Sequence, residues 1–194
     1  LPILGFSSVM FDGSTLEYEE NIRQTREVVK MCHAVGVSVE AELGAVGGDE
    51  GGALYGHADE SLFTDPMLAR DFVDRTGIDA LAVAIGNAHG KYKGEPLLDF
   101  PRLDAIRQQA AIPLVLHGGS GISDDDFKRA IELGIHKINF YTGMSQAALS
   151  AVETRMANRQ PLYDEFAELL LGIEEAITDT VSEQMRIFGS AGRV

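Results

Sequence analysis

Five short apolar runs recur along the chain, and longer stretches with helical spacing of apolar residues separate them. The runs cover residues 7–11, 37–43, 80–85, 113–117 and 137–140. Runs of this length are typical of buried strands. The helical patterns cover residues 19–35, 65–75, 100–110, 124–133 and 142–157, and a tail follows at 163–187. Strands that alternate with helices predict crossover connections and a parallel α/β sheet.

Helix start and stop signals support these assignments. Thr64 with an Asp-Pro pair is expected to open the second helix, and Ser123 the fourth. Gly36, Gly77 and Gly134 are expected to close three helices. We find no repeat, low-complexity tract or linker. The pattern therefore predicts one domain over residues 1–194.

Composition narrows the class of protein. The chain has 194 residues, 45% of them hydrophobic, which is enough for a buried core in one domain. Its net charge of −14 argues against nucleic-acid binding, because phosphate backbones attract clustered Lys and Arg. No apolar window reaches membrane-spanning length, and no basic leader stands at the start. With Cys32 as the single cysteine, we expect a cytoplasmic protein without disulfides.

Polar residues capable of chemistry lie at or just after the carboxyl ends of the predicted strands. They are Glu40, Glu42, Asn87, His89, His117, Asn139 and Thr142. Ligand sites at this edge are common to β/α barrels and doubly wound sheets. Five strands cannot close an eight-stranded barrel. The chain is therefore either an open sheet or the last five-eighths of a (β/α)8 barrel.

Two of these residues, His89 and His117, are each followed at once by glycine. Two imidazoles projecting from one edge suit a catalytic zinc, which keeps one position open for water or substrate. A third protein ligand would have to come from Glu42 or from outside this chain. The alternative is that both histidines only cap their strands with hydrogen bonds.

The segment HGGSG before the fourth helix is typical of a loop that presents backbone N–H groups to a phosphate. Ser120 could add its hydroxyl, and Lys93 and Thr142 could complete an anion site. Lys91 is a further candidate for anion binding. Glycine-rich turns are common in any parallel sheet, so this signal alone is weak.

The connection over residues 40–63 is long, acidic and rich in glycine. Such loops are often lids, and Glu50 could act there as a general base. A solvated acidic loop is an equal alternative. Asp12 could orient a ligand or simply begin a turn.

The remaining candidates are weaker. His33, His57 and His136 are expected to be structural or solvated. Lys137 is expected to enter its strand from the far end, away from the chemistry, which argues against a Schiff-base lysine.

Taken in order, the motifs VMFDGS, SVEAELGAVGG, DALAVAIGNAHGKYKGEP, PLVLHGGSGISDDDF and LGIHKIN resemble those of the class II, metal-dependent ketose-bisphosphate aldolases. The resemblance runs from about Phe6 to Thr142, with a looser match at FGSAGR. It implies a (β/α)8 barrel that binds dihydroxyacetone phosphate and uses zinc or another divalent metal, with a monovalent cation as a further candidate ion.

The same resemblance assigns individual roles. His89 and His117 match zinc-binding histidines, Glu42 a carboxylate near the metal, and Glu50 the lid base. Asn139 matches the asparagine that steadies the bound ketone. The positions that match the phosphate loops are Gly90, Lys93, Gly118, Ser120 and Thr142.

Two departures from the family pattern stand out. The family's first zinc histidine and its neighbouring catalytic aspartate lie on an earlier strand, which this sequence lacks. We therefore expect the N-terminal strands of the barrel to be absent from this chain through truncation, proteolysis or disorder, and the 194 residues alone to turn over slowly. Tyr141 stands where smaller or acidic residues are frequent, so the substrate pocket is expected to differ.

The resemblance implies reversible aldol cleavage of a phosphorylated ketose to dihydroxyacetone phosphate and an aldehyde. Two rivals stay open: a catalytically inactive phosphosugar-binding or regulatory barrel, and a metal-free isomerase or epimerase. The expected partner is a small phosphosugar, with neither nucleic acid nor membrane. The tail either joins subunits, as in a homodimer or homotetramer, or covers its own barrel.

Overall fold

The computed structural model describes residues 5–46, 60–90, 96–159 and 165–193. Five parallel strands form one sheet in the order β1-β2-β3-β4-β5. The strands are β1 (Ser8–Phe11), β2 (Ser38–Leu43), β3 (Ala80–Val83), β4 (Leu114–Leu116) and β5 (Ile135–Ile138).

Helices follow the strands as the sequence predicts. They are α1 (Tyr18–His33), α2 (Pro66–Thr76), α3 (Phe100–Ala110), α4 (Asp124–Glu132), α5 (Thr142–Ala157), α6 (Phe166–Leu169) and α7 (Ile173–Ile187). A short 3-10 turn at Glu60–Leu62 precedes α2. Among the described residues, no helix is long and apolar enough to cross a membrane.

Strand order separates the two architectures that the sequence left open. In a doubly wound sheet the order reverses at a switch point, where ligands bind. Here each strand pairs in parallel with the next one along the chain, without reversal. Sequential parallel pairing is the connectivity of consecutive units in a β/α barrel.

Helix ends follow local chemistry. The side chain of Asp65 accepts a hydrogen bond from the Met67 N–H at 2.8 Å and caps α2, while Gly77 ends that helix with φ +72°. Ser123 caps α4 through the Asp126 N–H at 3.2 Å. Both caps satisfy backbone donors that the first helical turn leaves unpaired.

Thr64 has a different role from the predicted helix start. Its hydroxyl is buried, donates to the Leu43 carbonyl and accepts from the Ala84 N–H at 2.9 Å. Thr64 therefore joins the ends of β2 and β3, and the neighbouring Asp65 caps the helix.

The sheet is buried against its helices on one face. On β2, Val39 and Ala41 are fully buried on that face and pack in a core with Phe72 of α2 and Leu103 of α3. Side chains alternate along a strand, so Glu40 and Glu42 lie on the opposite, inner face.

Two predicted elements differ from the structure. The fifth strand was expected at residues 137–140 and begins two residues earlier, because Gly134 (φ +104°) turns the chain directly from α4 into Ile135. The tail was expected as one helix over 163–187. In the described part it is split into α6 and α7, with Gly172 at φ +87° before α7.

Candidate active site

The inner face of the sheet carries two acidic side chains on β2 and a basic side chain on β5, and these strands are not adjacent. Register determines which residues share this face, because paired residues point to the same side. The pairs on this face are Glu40 with Ala80, Glu42 with Ala82, Ala82 with Val115, and Val115 with Lys137. His117 follows Val115 by two residues and therefore shares the same face. The alanines on β3 leave room for side chains of β2 and β4 to meet above them.

His117 lies between two carboxylates. Its Nε2 is 2.9 Å from Glu40 Oε1, and its Nδ1 is 3.2 Å from Glu42 Oε2. The other oxygen of Glu40 accepts a hydrogen bond from Lys137 Nζ at 2.6 Å. Glu42 Oε1 also accepts from the Val46 N–H at 3.3 Å. Glu40 and Glu42 therefore hold the His117 ring in one orientation, and Lys137 in turn holds Glu40.

These contacts shift the pKa values of His117 and Glu40. Burial alone would lower the pKa of His117, but hydrogen bonds to Glu40 and Glu42 outweigh burial and raise this pKa to about 9. Burial would likewise raise the pKa of Glu40, yet hydrogen bonds from His117 and Lys137 lower it below its ordinary value. Both shifts favour a protonated His117 ring that donates to the two carboxylates.

The second histidine of the predicted pair lies next to the first. The ring centroids of His89 and His117 are 6.0 Å apart, with the ring planes inclined by 54°. Two imidazoles on one tetrahedral zinc have centroids about 5 Å apart when each nitrogen is at about 2.1 Å. The observed spacing is close to that value. Among the described residues, no group of three or more His, Cys, Asp or Glu is placed to hold a metal ion.

The loops that carry the two histidines are fixed to each other. The amide of Asn87, which is 1% exposed, donates to the His117 carbonyl at 3.0 Å and accepts from the Ile85 N–H at 2.8 Å. Gly118 packs so closely on this loop that a Cβ atom there would lie 2.2 Å from the Ala88 oxygen. Neither contact follows from the sequence pattern, although Asn87 lies in the predicted edge.

The glycine-rich loop meets the start of α5. The Ser120 hydroxyl accepts a hydrogen bond from the Gly143 N–H at 3.0 Å, in the first turn of that helix. The Gly119 N–H donates to the Asn139 carbonyl at 3.3 Å. Thr142 is the first residue of α5. The predicted phosphate-binding residues Gly118, Ser120 and Thr142 and the predicted ketone-binding Asn139 thus lie on adjoining backbone.

Five further predicted residues complete the set. Gly90 is buried with φ +86° at the end of the His89 loop. Glu50, His57, Lys91 and Lys93 lie outside the described residues.

Three further residues have structural contacts. Asp12 accepts a hydrogen bond from the Ser14 N–H at 2.9 Å, as in a turn. His33 Nε2 is 2.8 Å from Asp79 Oδ2 on the surface. His136 lies within β5, where its Nδ1 is 2.7 Å from the Gly134 carbonyl.

The placement of Lys137 was predicted wrongly. It was expected at the far end of its strand, away from the site. It lies inside β5, and its ammonium reaches Glu40. Because β5 begins two residues earlier than predicted, Lys137 lies inside the strand and not at its start, and its side chain is on the inner face of the sheet.

Comparison with known proteins gives the family. The family model for class-II fructose-bisphosphate aldolase matches residues 3–193. The chain belongs to this family.

Relatives agree with this placement in the class-II fructose-bisphosphate aldolase family. The chain is 47% identical over 189 residues to a fructose-bisphosphate aldolase of Geobacillus stearothermophilus, covering 97% of this chain and 64% of that protein. It is 46% identical over 190 residues to the uncharacterized protein YdjI of Escherichia coli K12, covering 97% of this chain and 65% of that protein.

Solved structures show the same fold. The crystal structure of the YdjI aldolase matches with a TM-score of 0.81 and 43% identity, over 97% of this chain and 63% of that chain. The α/β fold is therefore of the barrel type, as the strand order indicates. The chain spans a little under two thirds of the length of the relatives it matches.

Proposed function

We propose that the protein acts as a metal-dependent aldolase of the ketose-bisphosphate type. It would cleave a phosphorylated ketose reversibly to dihydroxyacetone phosphate and an aldehyde. The observation that carries this proposal is the placement of His89, His117 and Glu42 at one edge of the sheet, beside the glycine-rich loop. Family membership supports the reaction class.

The donor types at this edge are those that a divalent ion accepts, although no three described groups are placed to hold one as the side chains stand. Two imidazoles with centroids 6.0 Å apart, and a carboxylate in contact with one of them, are ligands that zinc accepts. We assign His89, His117 and Glu42 to hold zinc or another divalent metal, with a monovalent cation as an additional candidate ion. When bound, such an ion supplies Lewis-acid polarisation of the substrate ketone.

The glycine-rich loop is assigned to the substrate phosphate. Backbone N–H groups at a helix start favour an anion, and the start of α5 lies against Ser120. We assign Gly118, Ser120 and Thr142 to this site. Gly90 and Lys93 from the preceding loop belong to the same proposal.

The proton transfers are assigned to the remaining predicted residues. In the direction of synthesis, the Glu50 carboxylate would take a proton from the hydroxymethyl carbon of dihydroxyacetone phosphate. That carbon would then attack the aldehyde carbon while the aldehyde oxygen takes up a proton from the family's catalytic aspartate, which lies outside this sequence. The amide of Asn139 would orient the ketone. A cytoplasmic location and a homodimer or homotetramer are part of the same proposal.

A panel assay tests this function. Release of dihydroxyacetone phosphate from phosphorylated ketoses is measured with added zinc and with a chelator, on this chain and on the complete gene product if that is longer. We expect activity that the chelator abolishes, and its loss in His117→Ala. Glu153→Gln, an exposed change on α5, is the control. Release that a chelator does not affect, or no release from any ketose by the zinc-supplemented complete product, would refute the proposal.

A further inference from the structure

The end of the C-terminal tail packs behind the glycine-rich loop. Phe188, the residue that follows α7, lies against Phe127 of α4, with ring centroids 4.8 Å apart and ring planes inclined by 66°. Edge-to-face pairs of this kind are favourable beyond the apolar area that they bury. Phe127 is 2% exposed, and Phe188 is partly buried at the margin of the core. The motif FGSAGR therefore begins with a contact to the core.

Phe127 in turn lies against the loop itself. A Cβ atom added to Gly119 would lie 3.3 Å from Phe127 Cε1 and 3.3 Å from the Asn139 oxygen. The phenyl ring therefore touches the loop on the side of Gly119 where a side chain would stand. Because the neighbouring Gly118 packs on Ala88, two successive glycines of the loop are held by two different elements.

The loop depends on such contacts because its glycines have no side chains with which to hold a conformation. The hydrogen bond from the Gly119 N–H to the Asn139 carbonyl measures 3.3 Å, which is long for a bond of this type. Without the ring of Phe188, Phe127 would have room to shift, and Gly119 would lose its support. A ligand that binds only one loop arrangement binds more weakly when fewer molecules have that arrangement.

A backbone motif fixes Phe188 at the end of α7. Gly189 has φ +67°, and its N–H donates to the Arg186 carbonyl at 3.1 Å. The Ser190 N–H donates to the Met185 carbonyl at 3.0 Å. These two hydrogen bonds form a Schellman motif, which ends a helix at a glycine in the left-handed conformation. The sequence FGS thus determines where the Phe188 ring leaves the helix.

We propose that Phe188 is a positioning residue for the substrate phosphate: its ring holds Phe127 against Gly119 and keeps the glycine-rich loop in the arrangement that binds the anion. The proposal rests on the phosphate site of the proposed function. It gives the motif FGSAGR a role at that site, although α7 carries none of the assigned ligands. Phosphate affinity then depends on how the end of the tail packs against α4.

The test measures binding of inorganic phosphate to the purified protein, as the complete gene product if that is longer than this chain. Backbone amide NMR follows Gly119 and Gly143 as phosphate is added, and thermal unfolding is recorded separately for each variant. An aromatic pair favours the arrangement that it stabilises by a factor of about 2 to 10. Phe188→Ala should therefore weaken phosphate binding by about 2-fold to 10-fold.

Two further substitutions on α7 and at its end accompany Phe188→Ala. Phe188→Leu replaces most of the lost volume and should bind phosphate more tightly than Phe188→Ala. Met185→Ala truncates an exposed side chain of the same helix and should leave phosphate affinity unchanged.

Gly189→Ala and Gly192→Ala form a matched pair. The two glycines have φ +67° and +72°, and a Cβ atom at either position would meet nothing within 4 Å. The backbone strain of the two substitutions is therefore similar, but only Gly189 belongs to the Schellman motif beside Phe188. Gly189→Ala should weaken phosphate binding, and Gly192→Ala should not. If Phe188→Ala does not fold, this pair and Phe188→Leu decide.

The outcomes separate this inference from the proposed function. If phosphate shifts neither the Gly119 nor the Gly143 amide signal of the wild type, the proposed phosphate site and this inference both fail. If the wild type binds phosphate there and Phe188→Ala binds it equally well, the positioning role is overturned and the phosphate site stands. Lower stability with unchanged phosphate affinity would overturn it too, because a purely structural contact has that effect. Equal phosphate affinities in Gly189→Ala and Gly192→Ala would count against it in the same way.

Discussion

Gly118→Ala is the substitution that most directly tests how the two histidine loops are fixed. The backbone of Gly118 has φ +67°, a conformation that favours glycine. An added Cβ atom would lie 2.2 Å from the Ala88 oxygen, 2.5 Å from the Ala88 carbonyl carbon and 3.0 Å from the His89 nitrogen. All three atoms are backbone, so no side chain can rotate away to relieve the contact.

The expected loss of stability in Gly118→Ala has two components, the strain of the backbone conformation and the crowding of the added methyl group. A non-glycine residue in the left-handed region costs about 1–2 kcal/mol. Forcing an extra methyl group into a packed site costs about 1–3 kcal/mol more, which gives a total of about 2–5 kcal/mol in the free energy of unfolding. If the loops separate instead by about 1 Å, the imidazoles move apart, and a displacement of that size can lower a rate by about 100-fold.

Gly36→Ala is the matched control. Gly36 has φ +71°, and a Cβ atom there would meet nothing within 4 Å. Gly36→Ala should therefore lower the free energy of unfolding by only about 1–2 kcal/mol, which is the backbone part of the effect. Urea denaturation gives both free energies of unfolding, and chelator competition reports zinc affinity. Equal losses of stability in the two variants, with equal zinc affinity, would contradict the close contact between the loops.

Three further changes test separate contacts. Asn87→Leu removes the donor to the His117 carbonyl and should lower the free energy of unfolding by about 2–4 kcal/mol, measured by thermal unfolding, because a buried carbonyl is left unpaired. A smaller loss would mean that another group donates to the His117 carbonyl. Asp79→Asn should cost about 1 kcal/mol at pH 7, a modest value because the carboxylate is half-exposed. Burial opposes ionisation of Asp79, but hydrogen bonds from the Val39 N–H and His33 lower its pKa below 3.8. The difference in unfolding free energy between wild type and Asp79→Asn should therefore be present above that pH and vanish as the pH falls through the lowered pKa. A difference that grows in acid would contradict the lowered pKa of Asp79. Ser123→Ala should destabilise α4 by about 1 kcal/mol through loss of its cap, measured by urea denaturation; no loss would mean that the cap contributes nothing.

Much of the fold could be predicted because each local signal agrees with the tertiary structure. Apolar runs bounded by glycine marked all five strands, and α3 and α5 have the predicted limits. The fifth strand was displaced by two residues because the segments IHKI and KINF each hold two apolar residues, and only pairing with β4, which begins at Ile135, separates them. The tail helix was overextended, since a positive φ at Gly172 cannot be read from helical periodicity.

The site was predictable only where chemistry coincides with a strand end. Seven polar residues at strand ends, His89 and His117 among them, indicated this edge. Glu40 and Lys137 could not be paired, because their contact depends on register across two intervening strands. Glu50 and the lysines of the second loop remain predictions from resemblance.

The alanines of β3 also determine how much volume remains at the middle of the sheet. Ala82 is fully buried, and with Ala80 it gives β3 a methyl-only inner surface between the glutamates of β2 and Val115 of β4. A valine at either position would fill part of the gap across which Glu40 of β2 and His117, just after β4, share a hydrogen bond. Two of the smallest side chains in the protein thus decide whether an acid and a base from different strands can touch at all.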